Sequence, residues 1–338
     1  MRAVSQLLKL RDGVAFSPEM SRACARAFVM RVAPITFLIL AGVGSSLAAP
    51  GDIYVADATA NAILEFSPSG SATTFATLND PYNITFGPDG YLYVLQPQNS
   101  QVARISPIGQ VTSFAPVFNP QSLAFDRNGN LFVGSLQSAQ NASSIIEISP
   151  LGVENVFATG LNSVSGLAFD NSGNLFTADP RDGTIVKLLP DGSQSVFASV
   201  GGGGEPAALT IDNGGTLWAY EDRFLNYFYK ISPSASVSTF NAANAGFADQ
   251  LAFDASGNLF EVDSTDGKVL KFNTTTGAET TFATGLNLPV GIAVQPVPEL
   301  NTMTSLLIGA VLFGFLFSLP AFRLHLRNGP TSTCDERK

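Results

Sequence analysis

The sequence predicts an all-β fold built from six repeated four-stranded units, and three observations carry that prediction. A glycine-led motif recurs six times at near-constant spacing. Each interval holds four segments of strand length that alternate in polarity and are separated by turn residues. The segment type that precedes every other glycine is missing before the first and turns up after the last repeat.

In chain order, residues 1–49 come first. Met30 to Ala49 read MRVAPITFLILAGVGSSLAA: a basic start, an apolar stretch from Val32 to Val43, then small residues. That is the layout of a secretory signal peptide, with Ser46 and Ala48 at the third-last and last positions before cleavage. The apolar stretch, about 12 residues, falls short of the roughly 20 needed to span a bilayer. Either the basic lead is long, or translation begins at Met20 or Met30.

The repeats occupy residues 50–296. The motif reads GDIYVAD from Gly51, GYLYVLQ from Gly90, GNLFVGS from Gly129, GNLFTAD from Gly173, GTLWAYE from Gly215 and GNLFEVD from Gly257. The intervals are 39, 39, 44, 42 and 42 residues. A strand such as SIIEISP or TIVKLLP follows each, then one closing on Phe75, Phe114, Phe157, Phe197, Phe240 or Phe282. These phenylalanines recur at one phase and are expected to pack between units. Asp-x-x-Gly turns such as Asp126 to Gly129 suit tight connections, because Asp bonds its own backbone and Gly accepts positive φ. Four strands per unit of about 40 residues describe the blade of a β-propeller, here six-bladed. The displaced segment PVGIAV, Pro289 to Val294, is expected to pair with the N-terminal blade, closing the ring and removing exposed edges.

The repeated pattern of LAFD, two residues, GNLF and then ISP-x-G resembles NHL-repeat propellers. It is similar also to streptogramin-lyase-like and gluconolactonase-like propellers. The resemblance covers residues 51–295 and implies blade construction rather than one activity, because these families share a scaffold across unrelated functions.

The C-terminal segment, 297–328, begins with Pro298 and Glu299. An apolar run from Met303 to Phe322 follows, long enough to cross a bilayer, and then Arg323 and Arg327. A Pro-Glu step, one apolar helix and a basic cluster resemble the PEP-CTERM sorting signal of Gram-negative bacteria. Leu300 stands where the second proline of that signal is usual, and a polar tail, 329–338, trails the arginines. The resemblance implies export to the cell surface, outer membrane or extracellular matrix, with the tail held in the membrane until an exosortase-like protease removes it. A permanent membrane anchor is the other reading.

Composition limits the chemistry. Between Pro50 and Pro298 there are 8 Lys and Arg against 22 Asp and Glu, a net charge of −14. Such a segment repels phosphate backbones, which argues against nucleic-acid binding. Cys24, Cys334 and the single histidine, His325, all lie outside it. The lyases and the paraoxonase-like lactonases depend on histidine, so the resemblance implies neither activity here. Gluconolactonase-like enzymes hold a divalent metal through Glu, Asn and Asp in the channel. The matching positions here are Tyr82, Gln121, Ser165, Ala207, Asp249 and Val290, of which only Asp249 is a carboxylate. Tyr82, Gln121 and Asp249 remain candidate binding residues.

Six residues after each glycine stand Asp57, Gln96, Ser135, Asp179, Glu221 and Asp263. The four acids at this one phase are candidate ligands for Ca2+, or else each caps its own turn. Trp218, Tyr220, Tyr227 and Tyr229 crowd the fifth unit as core or as a contact surface. The function classes left open are a non-catalytic propeller that binds a surface glycan or protein, a metal-dependent lactonase or hydrolase, and a membrane-tethered sensor or adhesion domain.

Overall fold

Each described strand belongs to one of six antiparallel sheets of four strands. The computed structural model describes residues 51–136, 143–200, 205–221, 227–241 and 246–296. Ala48, Pro298, Glu299 and the two terminal segments lie outside the described residues.

The innermost strands are Pro289–Val294, Ile84–Phe86, Pro120–Phe125, Gly166–Phe169, Pro206–Ile211 and Ala248–Phe253, in blades 1 to 6. Each packs on the next around a closed ring, and the strand of blade 6 returns to that of blade 1. Blade 1 is assembled from both ends of the repeats: Ile53 stands opposite Val294 and Val55 opposite Ile292. The expected closure is therefore present, and the fold is a six-bladed β-propeller. A Cβ at Gly291 would run into the Tyr82 carbonyl oxygen, so the closing strand can lie against blade 2 only with glycine there.

Burial falls off radially, as the sequence pattern requires. The second strands Ile53–Asp57, Leu92–Gln96, Leu175–Asp179 and Leu217–Glu221 are buried at every position. A strand covered on both faces reads as a continuous apolar run. Outer strands such as Ala72–Thr77 and Gln194–Ser199 bury one alanine and lean one phenylalanine inward.

Those phenylalanines pack as predicted. Tyr54 of blade 1 sits edge-on between Phe75 of its own outer strand, at 5.0 Å, and Phe86 of blade 2, at 5.1 Å. The same sandwich holds Tyr93 between Phe114 and Phe125, Phe132 between Phe157 and Phe169, and Trp218 between Phe240 and Phe253. Edge-to-face pairs add about 0.5–1.5 kcal/mol each beyond the area they bury.

The Asp-x-x-Gly turns join inner to second strands on one face. Asp126 Oδ1 accepts the N–H groups of Asn128 and Asn130, both at 2.8 Å, and Asp170, Asp212 and Asp254 repeat the pattern. Gly129 takes φ +85°, which a side chain would resist. We call this the exit face, because the chain leaves the propeller there: the Gly51 N–H reaches the Gln295 carbonyl at 3.4 Å. The opposite, entry face is where the innermost strands begin.

Candidate functional site

Two layers of polar residues surround the entry mouth of the channel. The outer layer is the ring six residues past each glycine, at the inner ends of the second strands. Its members are buried, none more than 3% exposed. Asp57 accepts N–H groups from Ala60, Asn287 and Leu288 at 3.0, 2.8 and 3.1 Å. Asp179 accepts from Arg181 and Asp182 at 3.1 and 3.3 Å. Glu221 accepts from the Glu205 N–H at 3.1 Å and from the Tyr229 hydroxyl. Asp263 accepts from Thr265 and Asp266 at 2.9 and 3.0 Å and pairs with the Lys268 ammonium at 3.1 Å.

The two neutral members reverse the polarity. Gln96 Nε2 donates to the Asn79 carbonyl, and Ser135 Oγ donates to the Phe118 carbonyl at 2.6 Å. Five of these six residues thus bond backbone in the segment that enters the innermost strand: Asn287 and Leu288, Asn79, Phe118, Glu205 and, for Asp179, Ser163. Among the described residues, no three His, Cys, Asp or Glu side chains stand close enough to hold a metal ion. The carboxylates Asp57, Asp179, Glu221 and Asp263 each have a separate set of partners. Burial raises the Asp179 carboxyl, with Asp182 adding to it and three N–H groups offsetting part.

The inner layer crosses the channel. Tyr82, at the start of the blade 2 strand, donates its hydroxyl to Asp249 Oδ1 of blade 6 at 3.2 Å. Asn83 Nδ2 donates to the Gln121 carbonyl of blade 3 at 2.8 Å. All three candidate binding residues therefore take part in this layer, Gln121 through its backbone. Gln250 reaches furthest. Its Oε1 accepts from Ile84 at 3.0 Å and from Ile292 at 2.9 Å, and its Nε2 donates to the Ile84 carbonyl at 2.7 Å. One amide thus ties blade 6 to blades 1 and 2. The space left beside Asn83, Ser122, Gly166, Ala208 and Gln250 is about 20 Å³, room for one water.

Sequence reasoning missed Gln250. A signal existed: the aligned positions are Asn83, Ser122, Gly166, Ala208 and Gly291, and Gln250 is the longest side chain in that series.

Above this plug, the entry rim presents large apolar side chains to solvent. Phe118 is 52% exposed and Phe247 57%. They precede the innermost strands of blades 3 and 6, on opposite sides of the ring. Their carbonyls are held at the ends of the second strands, Phe118 by Ser135 and Phe247 by the N–H of Ser264, one residue past its strand, at 3.2 Å. The crowded aromatics of blade 5 are different. Trp218, Tyr220 and Tyr229 are buried, and Tyr227 is partly so, its hydroxyl 3.0 Å from that of Tyr229.

At the exit face the channel widens into a concavity of about 680 Å³, walled by Thr85, Phe86, Thr210, Phe253 and Val294 and bordered by Pro296. The last described residue, Pro296, thus stands at this mouth.

This geometry has close counterparts among solved structures. A chain in the crystal structure of a nidogen/laminin complex matches with a TM-score of 0.64 and 19% identity, over 72% of this chain and 98% of that one. Virginiamycin B lyase from Staphylococcus aureus matches at 0.54 and 16%, over 70% and 82%. A gluconolactonase from Xanthomonas campestris matches at 0.55 and 18%, over 63% and 79%. The likeness is one of fold. No family model matches the sequence, and no curated protein does.

Proposed function

We propose that the chain is an exported, non-catalytic binding propeller of a Gram-negative-type cell surface or matrix. In this reading its entry face engages a surface glycan or protein. The observation that carries the proposal is the plugged entry mouth: Gln250 and the Tyr82–Asp249 bond cross the channel there, and the space beside Asn83 and Gln250 is about 20 Å³. A binding surface needs rigid anchors rather than a cavity. Phe118 and Phe247 supply two, fixed by the hydrogen bonds to their carbonyls.

The address comes from the ends. The signal peptide is cleaved after Ala48. The segment from Pro298 and Glu299 holds the chain in the membrane until an exosortase-like protease cuts it. Gly51 and Gln295, the described residues nearest these segments, meet at the exit face, opposite the entry face.

The test is a binding assay against isolated surface polysaccharide and surface protein. F118S/F247S is expected to lose about tenfold or more in affinity with an unchanged melting temperature, since both side chains are exposed. Retained binding by that variant overturns the entry-face assignment. Calcium against EDTA tests the enzyme reading. A saturated site at a hundredfold excess over Kd would stabilise the fold by about 2.7 kcal/mol. No shift and no lactone hydrolysis are expected; a shift accompanied by turnover overturns the non-catalytic reading.

A further inference from the structure

Two junctions between blades lack the inner-strand ring of the other four, and at one of them the place opens into a cavity. Each junction packs an aromatic of the second strand against its own outer strand and against the innermost strand of the next blade. The inner-strand partner is Phe86, Phe125, Phe169 or Phe253 at four junctions. Between blades 6 and 1 it is Val294, but Phe66 moves in against Phe282 at 6.0 Å. Between blades 4 and 5 only Phe176 and Phe197 meet, at 5.0 Å, and Ile211 stands in the third place.

A cavity of about 380 Å³ opens there, walled by Phe176, Phe197, Ile211 and Leu217. Its volume lies in the range of small-molecule sites. Asp170 and Asp212 line its rim with Lys187, whose ammonium lies 5.7 Å from the Phe176 ring. Two carboxylates outnumber one ammonium, and the net charge of −14 between Pro50 and Pro298 enriches cations around the whole segment.

We propose that this notch binds a small monocyclic aromatic cation of the benzylammonium class, its ring where four other junctions hold phenylalanine and its charge facing Asp170 and Asp212. The fold itself defines the geometry of the ring, because the same edge-on arrangement is built from side chains at the other junctions. The site lies on the exit side, among the turns of blades 4 and 5, and is separate from the entry rim.

The test titrates benzylamine into the full chain labelled at its isoleucine methyl groups. The Ile211 methyl signal is expected to move by a ring-current shift at millimolar benzylamine, and phenylacetate, with the opposite charge, is expected to leave it in place. I211F refills the notch but also removes the reporter, so it is read at the Ile185 methyl of the same cluster and by melting. It is expected to raise the melting temperature and to abolish the benzylamine-induced shift of Ile185 that the parent shows. No shift of Ile211 with benzylamine, an equal shift with phenylacetate, or undiminished binding to I211F each overturns the proposal. Should I211F not fold, the two titrations of the unaltered chain decide it alone.

Discussion

At the residue scale, Glu261 is a buried carboxyl at a position that is apolar or small in the other units. It occupies the position four residues past the motif glycine, where the other units have Val55, Val94, Val133, Thr177 and Ala219. It is 0% exposed, and neither carboxyl oxygen has a partner in hydrogen-bond geometry. Burial pushes its pKa well above the ordinary 4.5; Asp263 and Glu279 add to that, and the Gly246 N–H and Lys268 offset part. A carboxyl raised in this way binds its proton more tightly in the folded chain than in the unfolded one. Its contribution is therefore fully present below about pH 4.5 and is lost as pH rises toward the folded-state value. E261Q is expected to flatten the fall in melting temperature as pH rises above about 4.5. E261V, which restores the residue of three other units, is expected to gain about 1–3 kcal/mol at neutral pH, or roughly 2–4 °C per kcal/mol. A pH profile parallel to that of the parent chain for both variants would refute this account. The residue was legible in the sequence only to a reader comparing that buried phase across the units. The carboxylates two residues further along drew attention instead, because their type repeats.

At the element scale, the second strand of nearly every blade is fastened to the segment entering its innermost strand by the side chain six residues past its glycine. Asp57 does this for the closing strand, accepting the N–H groups of Asn287 and Leu288 some 230 residues away in sequence. Removing it leaves those donors and the Ala60 N–H without their acceptor. D57A is thus expected to cost about 3 kcal/mol, read as a lower urea midpoint, whereas D266A at a side chain 63% exposed is expected to stay within about 0.5 kcal/mol. Equal midpoints for the two variants would show that the fastening does not matter. Much of this layer was readable beforehand. Asp at the end of the second strand and the Asp-x-x-Gly turns follow from what a short carboxylate does beside its own backbone. The reversal at Gln96 and Ser135 was not readable, because it depends on whether a carbonyl or an N–H of a distant segment faces the side chain.

At the scale of the whole molecule, the ring holds because its last strand belongs to its first blade. The displaced PVGIAV segment made that closure legible, since a unit lacking one strand and a spare strand of the same type can be matched by pattern alone. The plugged entry mouth was not legible: the Tyr82–Asp249 and Gln250–Ile84 bonds join residues separated by 167 and 166 positions, and no local pattern reports such pairs. Both features bear on one experiment. A chain ending before Pro289 loses the inner of the two partners of Ile53–Asp57, exposing an unpaired edge inside the ring. It also frees Gln250 Oε1 from the Ile292 N–H. Such a chain is expected to lose the single cooperative unfolding transition and to associate on size-exclusion chromatography. Moving residues 289–296 ahead of Gly51, joined by an Asp-x-x-Gly turn like those of blades 3 to 6, is expected to restore the transition. The innermost strand ends on the exit face where the second strand begins, so the permuted blade would have the same connectivity as the others. If the truncated chain unfolds cooperatively at the parent midpoint, the closing strand is dispensable and the ring is held by the contacts between blades. If the permuted chain stays disordered while the parent folds, it is the covalent order of the strands, and not the presence of the Pro289–Val294 strand in its place, that the fold requires.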